Sequence, residues 1–218
     1  MRSTLLLTLL WAAAQAQASV TLYTDKAAFT SSTAATLATL PYTDTGFGNF
    51  TGPSSSIVSG TVTFTNVTGG LYMGDASTRL SGAEITISDT ESLDAAFAGP
   101  VYSMGFDFVE PEFDPLVNAS FVDSTFTVTL FSAAELVGSF SFNTANDTAA
   151  FVGVWSTAAF TRAEIRETSG GIENEFYGQF YTGTRAPAAA GVPEPMTLSL
   201  VGAALAACGA ARRRRSAR

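Results

Sequence analysis

Four carboxylates lie close together in Asp107-Phe-Val-Glu110-Pro-Glu112-Phe-Asp114. In extended backbone, residues two apart share a face, so Glu110, Glu112 and Asp114 would project to one side. Carboxylates clustered at a strand end, here with Asp107 nearby, are the oxygen ligands that calcium takes in irregular loops. Their spacing matches no defined calcium loop, and such a run either grips calcium or simply faces water. No other cofactor is called for.

A second set lies in Ile172-Glu-Asn-Glu-Phe-Tyr-Gly-Gln-Phe-Tyr181. Strict alternation puts Ile172, Asn174, Phe176, Gly178 and Phe180 on one face, and Glu173, Glu175, Tyr177, Gln179 and Tyr181 on the other. With the first face buried, the second shows two tyrosine rings among carboxylates and an amide. Such a surface stacks on sugar rings and bonds their hydroxyls. Tyrosine is also common in strands for packing reasons alone. Asp44-Thr45-Gly46 spells the aspartic-protease triplet, but that chemistry needs two such aspartates sharing a proton, and no second triplet exists. A turn accounts for it.

The chain contains no histidine. Ser-His-Asp and Cys-His catalysis, histidine zinc sites and imidazole acid-base chemistry are thereby excluded. The single cysteine, Cys208, lies near the C-terminus, so residues 19–191 contain no disulfide. Within that span five basic residues (Lys26, Arg79, Arg162, Arg166 and Arg185) face 18 acidic ones, a net charge of −13. A surface of that sign repels phosphate backbones, which argues against nucleic acid as a partner. Cations and neutral polymers such as sugars stay compatible with it.

The elements that must position these groups follow a period of two. Val62 and Phe64 alternate with threonines. So do Ile85 and Ile87 with polar neighbours, Tyr102 to Phe108 at even positions, Phe126 to Leu130, Leu136 to Phe142, Phe151 to Trp155, and Ala163 with Ile165. Turn residues separate them at Asn66 to Gly70, Ser81-Gly82, Gly99-Pro100, Glu110 to Pro115, Asn143 to Asp147 and Ser169 to Gly171. About nine short antiparallel strands so spaced predict an all-β fold, a β-sandwich or jelly roll over residues 19–185. One short helix is expected over Asp25 to Leu37, capped by Thr24. Gly46 to Ser56 reads as a loop, and 186–191 as a linker.

Both ends carry addresses. Arg2, an apolar stretch from Thr4 to Ala14 and the pattern Ala16-Gln17-Ala18 make residues 1–18 a secretory signal peptide, with the mature chain starting near Ser19. At the other end Val192-Pro193-Glu194-Pro195 precedes an uncharged hydrophobic helix, 196–211, and then Arg212, Arg213, Arg214 and Arg215. Sixteen residues of helix reach about 24 Å, short of a comfortable bilayer span. The arginines should stay cytoplasmic, leaving the body on the far side of the membrane.

This tail, residues 192–218, closely resembles the PEP-CTERM sorting signal of Gram-negative bacteria. The resemblance implies recognition by an exosortase, cleavage near the Pro-Glu-Pro, and release or re-anchoring outside the inner membrane after signal peptidase has acted. It also implies a place at the cell surface or in an extracellular polysaccharide and biofilm matrix. The body is similar to uncharacterised β-sandwich domains that precede such tails, in Tyr23-Thr-Asp-Lys-Ala-Ala-Phe29, Met104-Gly-Phe-Asp-Phe108 and Ile172-Glu-Asn-Glu-Phe-Tyr-Gly178. Relatives often read Ile-Asp-Asn-Phe in the last of these; here Glu173 stands for the Asp and Glu175 is inserted. The expectation is a non-catalytic exported protein that contacts polysaccharide or other matrix proteins. The alternative is an enzyme acting on glycans through two carboxylates drawn from Glu110, Glu112, Glu173 and Glu175.

Overall fold

The computed structural model describes residues 18–40, 51–67, 70–75, 80, 83–88, 92–111, 113–114, 119–120, 123–169 and 175–188. The expected signal peptide up to residue 17, the Asp-Thr-Gly triplet, Glu112, Glu173 and the expected sorting tail lie outside them. Among the described residues no helix is long and apolar enough to cross a membrane. One compact unit runs to Pro187 and a second comprises residues 188–218.

The elements in chain order are β1 (Val20–Tyr23), α1 (Lys26–Thr33), β2 (Thr36–Leu37), β3 (Thr51–Ser54), β4 (Ser56–Ser59), β5 (Val62–Asn66), β6 (Gly70–Asp75) and β7 (Ala83–Ser88). There follow β8 (Leu93–Val109), β9 (Phe113–Asp114), β10 (Ala119–Ser120), β11 (Thr125–Ser132), β12 (Glu135–Phe142), β13 (Ala150–Ser169) and β14 (Phe176–Gly183). Every pairing is antiparallel, as the alternation predicts. Among the described residues fourteen strands replace the expected nine, partly because two-residue pairings form in segments read as loop or helix.

Two of these strands are much longer than the sequence suggests, and they build the sandwich. The first half of β8 pairs with β5 and with the second half of β13, which also carries β11 and then β12. The second half of β8 pairs with β14 and with the first half of β13, which also carries β1. Each long strand thus belongs to both layers. The register between them shifts between Trp155 and Phe160, opposite the Ser103 to Val101 stretch. Gly99-Pro100, expected as a turn, lies inside β8 next to that crossing. Proline has no N–H for the ladder and is tolerated at such irregularities, where Pro100 is exposed.

The layers close on a phenylalanine-rich core. Phe108 meets Phe126 at 5.3 Å between ring centroids, Phe106 meets Phe142 at 5.8 Å, and Phe64 meets Phe180 at 4.8 Å, mostly edge to face. Aromatic quadrupoles favour such geometry over a face-to-face sandwich.

Helix α1 covers the outer face of the second layer. Its N-cap is Asp25 rather than Thr24: the Asp25 carboxylate accepts the Ala28 N–H at 2.6 Å. It stops at Thr33, four residues before Leu37, because Ala34 turns into the left-handed region (φ 56°). The Thr33 hydroxyl donates to the Phe29 carbonyl and accepts the Ala35 N–H. Serine and threonine compete in this way with helix continuation. Phe29, fully buried, seats the helix against Tyr23 and Phe151. Space for it comes from the cross-strand pair Gly105 and Gly153, where a Cβ would lie 3.1 and 2.9 Å from the Phe29 ring.

Candidate functional site

A cleft of about 970 Å³ opens on the side of the sandwich where β1 ends one layer and β12 ends the other. Its apolar wall includes Leu22, Tyr23, Phe142 and Phe151; its polar wall includes Ser141, Asn143, Thr144 and Thr148 from β12 and the loop after it. Lys26 and Asp107 stand together in it.

Lys26 is the only lysine in the chain. Its Nζ donates to both oxygens of Asp107, at 2.6 and 2.7 Å, and lies 3.4 Å from the Tyr181 hydroxyl. Tyr181 in turn donates to Gln179 Oε1 at 2.9 Å. The ammonium sits 5.1 Å from the centre of the Tyr181 ring and 6.0 Å from that of Phe151, within cation–π range. A cation in the first turn opposes the helix dipole, and Asp107 beneath it offsets that cost. Partial burial pulls the ammonium's pKa down, but the hydrogen bond and charge of Asp107, with Tyr181 adding to both, hold it above the ordinary lysine value.

A folded-state pKa above the unfolded value means the pair's stabilisation is complete below about pH 10.5 and is lost as pH rises through the higher folded value. We expect wild type to lose more stability than Lys26→Met between pH 10 and 12 in urea titrations. Water screens a lysine side chain that is 42% exposed, so the difference should stay under about 1 kcal/mol. Parallel curves for the two proteins would show that the pair contributes nothing.

The tyrosine face is not the one that alternation predicts. Tyr177 pairs with Phe108 and Phe180 with Phe106, so Gly178 and Gln179 together oppose Asp107 in a β-bulge. One extra residue reverses which parity faces inward. Tyr177 therefore points into the core, fully buried against Phe106 and Phe108, and is not a surface for glycans. Glu175 is fully buried too. Of the described residues of that set, Gln179 and Tyr181 reach the outer face, beside Lys26.

The acidic set also divides. Asp107 belongs to the Lys26 network on the outer face. Glu110, three residues on and of opposite parity, is fully buried, and its Oε1 accepts the Ser124 N–H while its carbonyl accepts the Asp147 N–H at 2.7 Å. It ties the end of β8 to the start of β11 and to the loop after β12. Asp107 and Glu110 thus do not converge on a common cation. Asp114 falls in β9, paired with Ala119. Among the described residues no three His, Cys, Asp or Glu side chains gather as a metal site.

Sequence reasoning missed Lys26, Asn143 and Phe151. The scarcity of lysine was a signal in plain view; the loop's approach to α1 was not, since it depends on how the layers pack.

A second charged group lies on the outer face of the first layer. Arg166 bonds Asp94 at 2.5 Å and Glu164 at 3.2 Å, while Arg162 pairs with Glu164 and stacks 4.6 Å from the Phe131 ring centre. Two cations and two anions satisfy one another there, Glu164 along β13 and Asp94 across from β8.

No family model matches the chain, and no curated protein matches it. Among solved structures, point variants of the family 29 carbohydrate-binding module CBM29-2 are similar at 10% identity. One covers 74% of this chain and 97% of its own with a TM-score of 0.35; two others cover 74% and 98% with a TM-score of 0.36. The fold and the cleft described above rest on the chain's own geometry.

Proposed function

We propose that the chain is an exported, exosortase-processed surface or matrix protein of a Gram-negative bacterium. Its β-sandwich holds neutral extracellular polysaccharide in the cleft and performs no catalysis. The observation that carries this reading is the lining of the cleft: aromatic rings opposite short hydroxyl and amide groups, with the ionic groups committed to one another. Aromatic faces stack on sugar rings, and hydroxyls and amides exchange hydrogen bonds with sugar hydroxyls at little desolvation cost.

A glycosidase needs two carboxylates flanking the bond to be cut, one with a raised pKa. In the cleft Asp25 caps α1 and Asp107 is held by Lys26, while Glu110 and Glu175 are buried. Export draws support from the start of the body: β1 begins two residues past the expected cut, and Ser19 already donates its N–H to the Thr157 hydroxyl while its carbonyl accepts the Thr157 N–H.

The test uses protein recovered from the medium or cell surface of the producing bacterium. Its mass should show Ser19 as the first residue and loss of the segment beyond the Pro-Glu-Pro. That material should be retained on an array of neutral polysaccharides, little affected by salt. Asn143→Ala with Lys26→Met should weaken retention at least tenfold while the melting profile stays cooperative. An intact tail would overturn the processing reading; no retention on any glycan, or retention unchanged in the double variant, would overturn the binding site.

A further inference from the structure

We infer that a second copy of this chain pairs with the free edge of β12, edge to edge and antiparallel about a two-fold axis. Among the described residues strand β12 ends the first layer and is bonded on one side only, to β11. A free edge presents a row of N–H and C=O groups that only another strand satisfies in order, and proteins usually blunt such edges with lysine, proline or inward charge. Here Leu136 to Asn146 contains none of these; the only charge in β12 is Glu135, at its hairpin end.

The charge pattern argues for a copy of the same chain as the occupant. At a net −13 between Ser19 and Gly191, two bodies repel over most of their surface. Contact is cheapest where charge is missing, and the stretch from Ser124 to Asn146 carries Glu135 alone. Antiparallel self-pairing sets the two Glu135 residues at opposite ends of the seam, as far apart as the strand allows. The outward side chains of β12 are small hydroxyls, Ser139 and Ser141, opposite Thr129 and Thr127, with the Thr127 and Ser141 hydroxyls 2.9 Å apart. That ladder continues across a two-fold seam without a clash of sign or size. Leu136, 55% exposed, would lose water contact on pairing. A two-fold pair needs no complementary second surface.

A seam of one strand per copy is small by the standard of stable interfaces, so the affinity should be weak, with Kd roughly in the 10–100 µM range. Screening of the net charge should tighten it as salt rises. The test is sedimentation velocity on the full chain in mild detergent, and on the body from Ser19 to Pro187, which contains all the buried core residues described. Both should shift from monomer to dimer over that range, more readily at 0.5 M than at 0.05 M NaCl. Ser139→Lys with Ser141→Lys, both at exposed positions, should raise Kd at least tenfold with melting unchanged, whereas Val58→Lys on the opposite edge should leave it alone. Amide exchange over 138–142 should slow in the dimer. A wild type that stays monomeric throughout, a dimer untouched by the double lysine variant, or one lost in Val58→Lys would each overturn the inference. A double lysine variant that fails to fold leaves the amide-exchange comparison in wild type to decide.

Discussion

Replacing Phe106 by alanine is expected to cost about 3–5 kcal/mol, the range for truncating a buried phenylalanine. The residue is fully buried on β8, and its ring meets four others: Phe108, Phe142, Tyr177 and Phe180. These partners come from three strands in both layers, so the loss falls on the closure of the sandwich rather than on one hairpin. The hole would be lined by rings that cannot collapse into it without leaving their own contacts, which places the cost toward the upper part of that range. For a body of this length the melting temperature should fall by roughly 6–20 °C. Phe106→Leu refills much of the volume and should cost only about 1–2 kcal/mol. Urea unfolding of the three proteins checks this; a loss below about 1.5 kcal/mol for the alanine variant would mean that the two layers do not close on Phe106.

A change far smaller in volume should come close to the same effect. Gly60 turns the β4–β5 hairpin with φ +60°, and an added Cβ would fall 2.1 Å from the carbonyl oxygen of Ala38. Left-handed backbone costs a residue with a side chain about 1–2 kcal/mol before any contact is considered. The clash is with backbone, so no side chain can swing away. Moving Ala38 would strain the bonds its oxygen accepts from the Thr61 N–H at 2.9 Å and the Thr61 hydroxyl at 3.3 Å, and the one its N–H donates to Phe180 at 2.8 Å. Each is worth about 0.5–1.5 kcal/mol. Gly60→Ala is therefore expected to destabilise by about 2–4 kcal/mol, and to raise amide exchange at Ala38 and Thr61 first. Gly99→Ala is the control: nothing lies within 4 Å of a Cβ there, and its effect should stay within about half a kcal/mol. Similar urea midpoints for the two variants would show that the Ala38 contact does not hold the hairpin.

The two variants probe different kinds of information. Phe106 belongs to a period of two that can be read along the chain, Met104, Phe106 and Phe108 all facing inward. Gly60 matters because residues 22 positions apart in sequence are brought within bonding distance, and no local pattern announces that. The candidate site shows the same split. Asp107, Gln179 and Tyr181 were legible as polar groups on strands. Their meeting with Lys26 required the β14 bulge opposite Asp107, which put Tyr177 in the core and left Gln179 and Tyr181 outside.

What the sequence by itself determined is the part that depends on near neighbours: the antiparallel all-β class, the inward face of most strands, the short helix after β1, and the exclusion of histidine chemistry. Hydrophobic alternation and net charge are local or additive properties, so they survive being read one residue at a time. The tertiary structure alone decided that β8 and β13 each run unbroken through both layers, that one bulge reverses the face of the closing strand, that Asp107 and Glu110 serve different partners, and that Lys26 stands over the cleft. Each of these depends on register between distant segments. A shift of one residue there exchanges buried and exposed side chains at almost no cost in local propensity, so only the packing of the whole core selects among the choices.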